Sequence, residues 1–361
     1  MSPGKLGFHH WARAGVAIGL ASALLAPPVL ARESAETPDV IGASVDPQSA
    51  ARSNWREFMM QSSASEEGCY QASYPSYLWD KVPCKAVTNP RVHPVARQGT
   101  SSFAGLAGNG NDWVIKEPAA LFLEVRGEFS GVTGVTSETG VGVAAFGGGG
   151  ILGPNEYSLQ LNTNLTGTTA ACAGHSGCTV WTQFIYATDF PTRGQAGVFM
   201  ESWLLGWGFG ACPSGFQPDG VGDCVINSPI TPAPNKPITS LGGLELLANV
   251  KTGGNLQLCF ADLSQSSTLF TVVAKDIVDI AAVWNEAEFN VVGDAGGSRA
   301  QFNPGSSITV QIEAFDGLDN PPLPLCIANA GSTGETNNLN LGGCTVSPFP
   351  RKHKINFTET N

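Results

Sequence analysis

From about residue 112 to residue 316 this chain alternates apolar and polar positions with a period of two. In "EYSLQLNTN" (156–164), Tyr157, Leu159 and Leu161 alternate with Ser158, Gln160 and Asn162. In "CTVWTQFIYATDF" (178–190), Trp181, Gln183 and Ile185 alternate with Thr182, Phe184 and Tyr186. Side chains along a strand point to opposite faces in turn, so each segment predicts a strand with two chemically distinct faces. "GVFMESWLLGWG" (197–208) is more apolar and predicts a central strand. "LELLANV", "LQLCFADL" and "TLFTVVA", joined by "KTGGN" and "SQSS", have the spacing of an antiparallel meander. Further strands are expected near 112–115 and 119–136, and one helical turn over 276–284, with Ile277, Ile280 and Trp284 on one side. "NEAEFNVVGD" (285–294) then puts Glu288, Asn290, Val292 and Asp294 on one face, with Phe289 and Val291 on the other. No repeat of fixed period interrupts this order. It predicts an all-β chain: an antiparallel two-sheet β-sandwich, jelly-roll or concanavalin-like, with disulfide-stapled loop insertions.

The first residues follow a different pattern. Lys5, His9, His10 and Arg13 precede the apolar run "AGVAIGLASALL", and "PVLA" places Val29 and Ala31 where a signal peptidase needs small residues. A secretory signal peptide over 1–31 is expected, leaving an exported, secreted or periplasmic chain with no membrane span. Residues 32–67, rich in Ala, Ser and Pro, predict a flexible leader or propeptide. Residues 68–111 form a stapled N-terminal extension, 112–316 the sandwich, and 317–361 a stapled C-terminal extension.

Charge and cysteine narrow the partners. The net charge is −11, and loss of Lys5 and Arg13 makes it more negative, which disfavours nucleic acid as a partner. Nine cysteines suit an oxidising compartment. Proximity suggests the pairs Cys69–Cys84, Cys172–Cys178, Cys212–Cys224 and Cys326–Cys344, each around a polar loop, although spacing does not fix connectivity. Cys259 is left over in an alternating segment as a buried thiol. The histidines lie far apart and no CxxC pair occurs, so no metal site is expected. "FGGGG" (146–150) lacks the lysine and following helix of a phosphate loop, and no cofactor is implied.

The order of "SLQLNTN", "VWTQFIY", the meander and "NEAEFNVVGD" resembles that of the eqolisins, the fungal-type glutamic peptidases, over roughly residues 112–312. "LQ", the strand tryptophan and "AEF" carry the resemblance. It implies that Gln160 matches the family's catalytic Gln and Trp181 its strand tryptophan, while Gln183 replaces a supporting acidic residue. Ala287, Glu288 and Phe289 match "AEF". The family's catalytic Glu, four residues after the Glu of that motif, is Val292 here. A mechanism of that type needs a carboxyl as general base, with the Gln amide helping to hold the oxyanion, and valine does neither.

Two carboxylates are candidates to substitute. Glu288 shares the face but lies about 13 Å from the vacant position, at about 3.3 Å per residue. Asp294 lies about 7 Å beyond it, and a bulge at Gly293 would re-aim Asp294 toward Gln160. Gln160, Glu288 and Asp294 are thus the candidate catalytic residues. Asn162, Trp181, Gln183, Glu201 and Asn290 are the candidate substrate-binding residues. The plainer alternatives are a solvated sheet residue for Gln160, a turn cap for Asp294 and core packing for the tryptophans.

Two functions follow. One is an acid hydrolase acting on polypeptide through a Gln–carboxylate pair on the concave face. The other is a non-catalytic β-sandwich binding carbohydrate or a cell-surface ligand, with Trp181, Trp203 and Trp207 as a stacking platform. A structural or envelope protein is a third. A carboxylate within about 5 Å of the Gln160 amide, in a cleft, favours the hydrolase. Tryptophans flat to solvent favour the binder, and Gln160 in the dry interior, or residues 157–162 and 286–294 in separate layers, would end the enzyme reading and leave an exported sandwich.

Overall fold

The computed structural model describes residues 47–62, 64–86, 112–144, 147–220, 222–250, 254–263, 267–319, 322–328, 335–349 and 352–361. The expected signal peptide lies outside the described residues. Alternation produces two large, mainly antiparallel sheets. The first runs, edge to edge, through Asp80–Val82, Gly68–Ser73, Thr268–Lys275, Asn255–Asp262, Leu244–Val250, Glu124–Thr133, Ser307–Phe315, Lys352–Thr360 and Asn340–Phe349. The second runs through Gln217–Pro218, Cys224–Asn227, Gln195–Leu205, Thr179–Thr192, Tyr157–Thr163, Glu286–Gly293, Trp113–Lys116 and Leu325–Ala328, with Thr231–Ala233 also paired to Gln195–Leu205. A small sheet of Thr336–Asn337, Ser298–Phe302, Glu138–Gly142 and Gly153–Pro154 completes the set.

The core lies between the large sheets. Leu159, Leu161, Phe184, Tyr186 and Phe289 from the second meet Leu246, Leu258, Phe260, Val310 and Ile312 from the first. Tyr186 stacks on Phe260 at 4.0 Å. Gly127 lies directly under the Phe289 ring, where a Cβ would overlap it, so glycine there sets how closely the sheets approach.

The meander strands carry a second apolar stripe on the outward side of the first sheet. Residues expected to form part of a flexible leader instead build a helix, Pro47–Gln61, which covers that stripe. Proline suits a first helical position, and Trp55, Met59 and Met60 turn inward onto Ala72, Leu247, Cys259, Ala261 and Leu269. The Trp55 indole donates to the Ser76 carbonyl at 2.6 Å. Cys259 is fully buried beneath the helix, and burial pushes its thiol up to about 11.

The C-terminal residues also differ from expectation. In place of a separate extension, Asn340–Phe349 and Lys352–Thr360 form two strands of the first sheet, with Ile355 and Phe357 in the core. Of the turn expected over 276–284, Ile280–Ala282 forms a short 3-10 segment; Trp284 is buried, while Ile277 faces solvent. The four cysteine pairs are the ones that proximity suggested, with Cα separations of 5.4 to 6.3 Å.

Candidate active site

Register decides which polar side chains meet. Gln160 stands opposite Asn290 on one side and Ile185 on the other. One step along, Asn227, Glu201, Gln183, Asn162 and Glu288 form a row across five strands, each opposite the next. The faces read from the sequence are the faces observed: Leu159, Leu161, Phe184 and Phe289 point into the core, while these polar residues share the other side.

That side is not wet. Gln160 is 3% exposed and Glu201 6%. Other parts of the chain cover it, and each brings a carboxyl group. Glu335, 7% exposed, accepts a hydrogen bond from Gln160 Nε2 at 3.3 Å. Asp112 and Glu359 close over Asn290, whose Nδ2 donates to both.

A directed chain of hydrogen bonds ends on Glu335. Trp203 Nε1 donates to Gln183 Oε1 at 3.0 Å, and Gln183 Nε2 donates to Gln160 Oε1 at 3.0 Å. Gln160 Nε2 then donates to Ser158 Oγ at 3.0 Å and to Glu335. An indole N–H can only donate. It therefore fixes the orientation of both glutamine amides and aims the Gln160 N–H at the carboxyl.

Electrostatics divide the acids. Burial pushes Glu335 up to about 7, against the pull of the Gln160 N–H. Glu201 is raised well above the usual carboxylate range by burial and by the nearby Glu335 charge, with Asn227 opposing. Asp112 is raised by burial, and Glu359 is raised by burial and then by Asp112. Glu288 accepts from Asn162 Nδ2 at 3.4 Å and meets Asp112. Acids this close, away from water, share protons and are not all ionised together.

The structure brings together Gln160, Asn162, Gln183, Glu201, Glu288 and Asn290. It does not bring Asp294 to Gln160. The ladder runs unbroken from Ala287 to Gly293 against Thr163 to Tyr157, so the slip that would re-aim Asp294 is absent. Asp294 stays four residues beyond the Gln160 partner, about 13 Å along the strand. Trp181 and Trp203 are not a stacking platform: both are buried, 6.3 Å apart, among Leu165, Leu205 and Val225. Trp207 stacks on His175 at 3.3 Å. Sequence reasoning missed Glu335, Asp112, Glu359 and Asn227, because none of them lies in the alternating segments that carried the resemblance.

An open concavity lies at the edge of the second sheet. Cys84, Lys85, Ala86, Gly215, Gln217 and residues 225–229 line it. Asn227 belongs both to this groove and to the polar row, beside Glu201. Among the described residues no group of three acidic, histidine or cysteine side chains is arranged to hold a metal ion.

No family model matches the chain, and no curated protein does. Among solved structures, similarity is found to SCP-B, a member of the eqolisin family of peptidases in complex with the tripeptide Ala-Ile-His. The identity is 8% and the TM-score 0.26, over 69% of this chain and 98% of that one. Scytalido-glutamic peptidase with a transition state analog inhibitor gives 9% and 0.25 over the same shares. The same peptidase with a peptide-based analog gives 11% and 0.24. At that level of likeness the function has to be argued from this chain's own residues.

Proposed function

We propose that this protein is an exported acid hydrolase acting on polypeptide, with the polar side of the second sheet as its reactive face. The observation that carries the reading is the Gln160 amide, aimed by Gln183 and Trp203, 3.3 Å from a carboxyl oxygen. Hydrolysis of an amide needs a carboxylate to take a proton from water and a fixed donor for the carbonyl oxygen as it gains charge. Gln160 is the donor. Of the two candidate acids, Glu288 shares the polar row with Asn162 and Gln183, while Asp294 lies too far along the strand to act with Gln160; Asn162, Gln183, Glu201 and Asn290 flank the amide. Export is supported by the four disulfides, and among the described residues no helix is long and apolar enough to cross a membrane.

Burial of Gln160 favours a second reading: a non-catalytic sandwich that binds a peptide or polysaccharide in the edge groove. Incubating the mature protein with denatured protein from pH 2 to 7 separates the two. The hydrolase reading expects cleavage in acid, reduced at least 100-fold in Gln160→Ala with an unchanged circular dichroism spectrum. A folded wild type that cleaves nothing across that range leaves the binding reading.

A further inference from the structure

We infer that residues 335–339 form an internal strap that holds the reactive face closed, with the Glu335 carboxyl seated on the Gln160 amide where a substrate carbonyl would sit. The inference rests on the hydrolase reading and adds the regulation of its site.

A hydrolase that uses the Gln160 N–H must offer it to substrate, and in this structure it is taken. Gln160 Nε2 donates to Ser158 Oγ at 3.0 Å and to Glu335 Oε2 at 3.3 Å. Gln183 Nε2 already donates to Gln160 Oε1, so turning the amide over would set two N–H groups face to face. A substrate carbonyl therefore meets this donor only when Glu335 leaves. In acid the Glu335 carboxyl keeps its proton, since burial pushes it up to about 7, and a neutral carboxyl presents an acceptor oxygen much as an amide does. Glu335 is thereby an occupant of the site and not its base, a part left to Glu288 in the adjoining row. Asp112 and Glu359 cover Asn290 and leave the Gln160 amide clear.

The segment divides into an anchor and a tip. Asn338 takes the Phe302 N–H at 2.7 Å and donates to its carbonyl at 3.1 Å, and its own N–H meets the Ala300 carbonyl at 3.2 Å. Asn337 donates to the Val291 carbonyl at 3.2 Å and to Glu359 at 3.1 Å, and its Oδ1 takes the Leu339 N–H at 2.9 Å. Leu339 is buried in the core. Toward the tip, pairing with Ser298–Phe302 covers Thr336 and Asn337 alone, and the 3.3 Å bond to Gln160 is longer than each bond of the anchor. The tip can lift while the anchor stays. A disulfide limits how far it travels. Cys326, on the edge strand Leu325–Ala328 of the second sheet, is joined to Cys344, on the edge strand Asn340–Phe349 of the first, and Glu335 stands midway between them in sequence. Closing that loop keeps the carboxyl at high effective concentration beside Gln160. An internal occupant of this kind raises the apparent KM in inverse proportion to the open fraction and leaves kcat at saturating substrate unchanged.

The test measures peptide cleavage in acid by the full mature chain and its variants, with folding confirmed by circular dichroism. Glu335→Ala should lower KM at least tenfold and leave kcat within threefold. Cys326→Ser and Cys344→Ser, made together, lengthen the tether and should lower KM at least threefold; this pair carries the test if Glu335→Ala does not fold. A kcat that falls in Glu335→Ala, or a KM that keeps its wild-type value in both variants, overturns the strap. If Gln160→Ala is inactive in the same assay, the hydrolase reading survives that result. Cleavage by neither the wild type nor Glu335→Ala overturns both.

Discussion

Both large sheets have their outward faces covered, and the two covers differ in chemistry. On the first sheet, the helix Pro47–Gln61 lays Trp55, Met59 and Met60 onto Leu247, Ala261 and Leu269. On the second, Glu335, Asp112 and Glu359 come down on Gln160 and Asn290. Apolar burial stabilises at about 25 cal/mol per Å². Burying carboxyls costs free energy and is offset only by hydrogen bonds and retained protons. The first sheet shows that this fold has an inexpensive way to cover a sheet. The second uses a costly one, and costly polar burial with raised carboxyl pKa values is where chemistry tends to reside.

The contrast can be broken at several points. The largest effect is expected from Trp55→Ala, which removes the centre of the apolar cover and should cost about 3–5 kcal/mol in urea unfolding. A loss near zero would mean that the helix contributes little to the fold.

The second cover should respond to pH in a direction the first does not. Glu335 ordinarily titrates at 4.5 and is pushed to about 7 in the folded protein. Its stabilising contribution is therefore fully present below about 4.5, is lost as pH rises toward 7, and stays lost above. The swing is at most about 3 kcal/mol. Glu335→Gln removes that slope, so the variant should gain on the wild type between pH 4 and pH 8. Equal slopes in denaturant titrations at the two values would place Glu335 in water.

A smaller loss, about 1–2 kcal/mol, is expected for Asn338→Ala, which frees both backbone groups of Phe302. Trp203 and Gln183 fluorescence or NMR environments should shift with it if this anchor holds the polar cover down. The smallest effect is at Cys259. Fully buried and with its thiol raised to about 11, it should resist alkylation at pH 8 in the native protein and react fully in urea. Mass spectrometry reads the result, and fast native labelling would show that the helix lifts readily.

How much of this was legible depends on the distance over which residues interact. Strand faces follow from local alternation, and Leu159, Gln160, Gln183 and Phe184 all lie on the sides their spacing predicts. The four disulfides close short loops, and proximity found them. The carboxyl that meets Gln160 is out of reach of local spacing. Asp294 was the natural local substitute for the acid absent at Val292, but an unbroken ladder keeps it away from Gln160. Glu335 arrives from 175 residues downstream, in an Asn- and Gly-rich stretch with no periodicity. The helix was missed for a related reason: its inward face is carried by three large residues, Trp55, Met59 and Met60, in a weakly patterned polar segment.

Amino-acid order alone determined the class of fold, the two faces of each central strand and the cysteine partners, because each depends on neighbours within one strand or loop. Tertiary structure decided that the polar face is covered and which acids crowd it. Those features come from segments far apart in the chain, and the cost of burying a charge depends on everything packed around it.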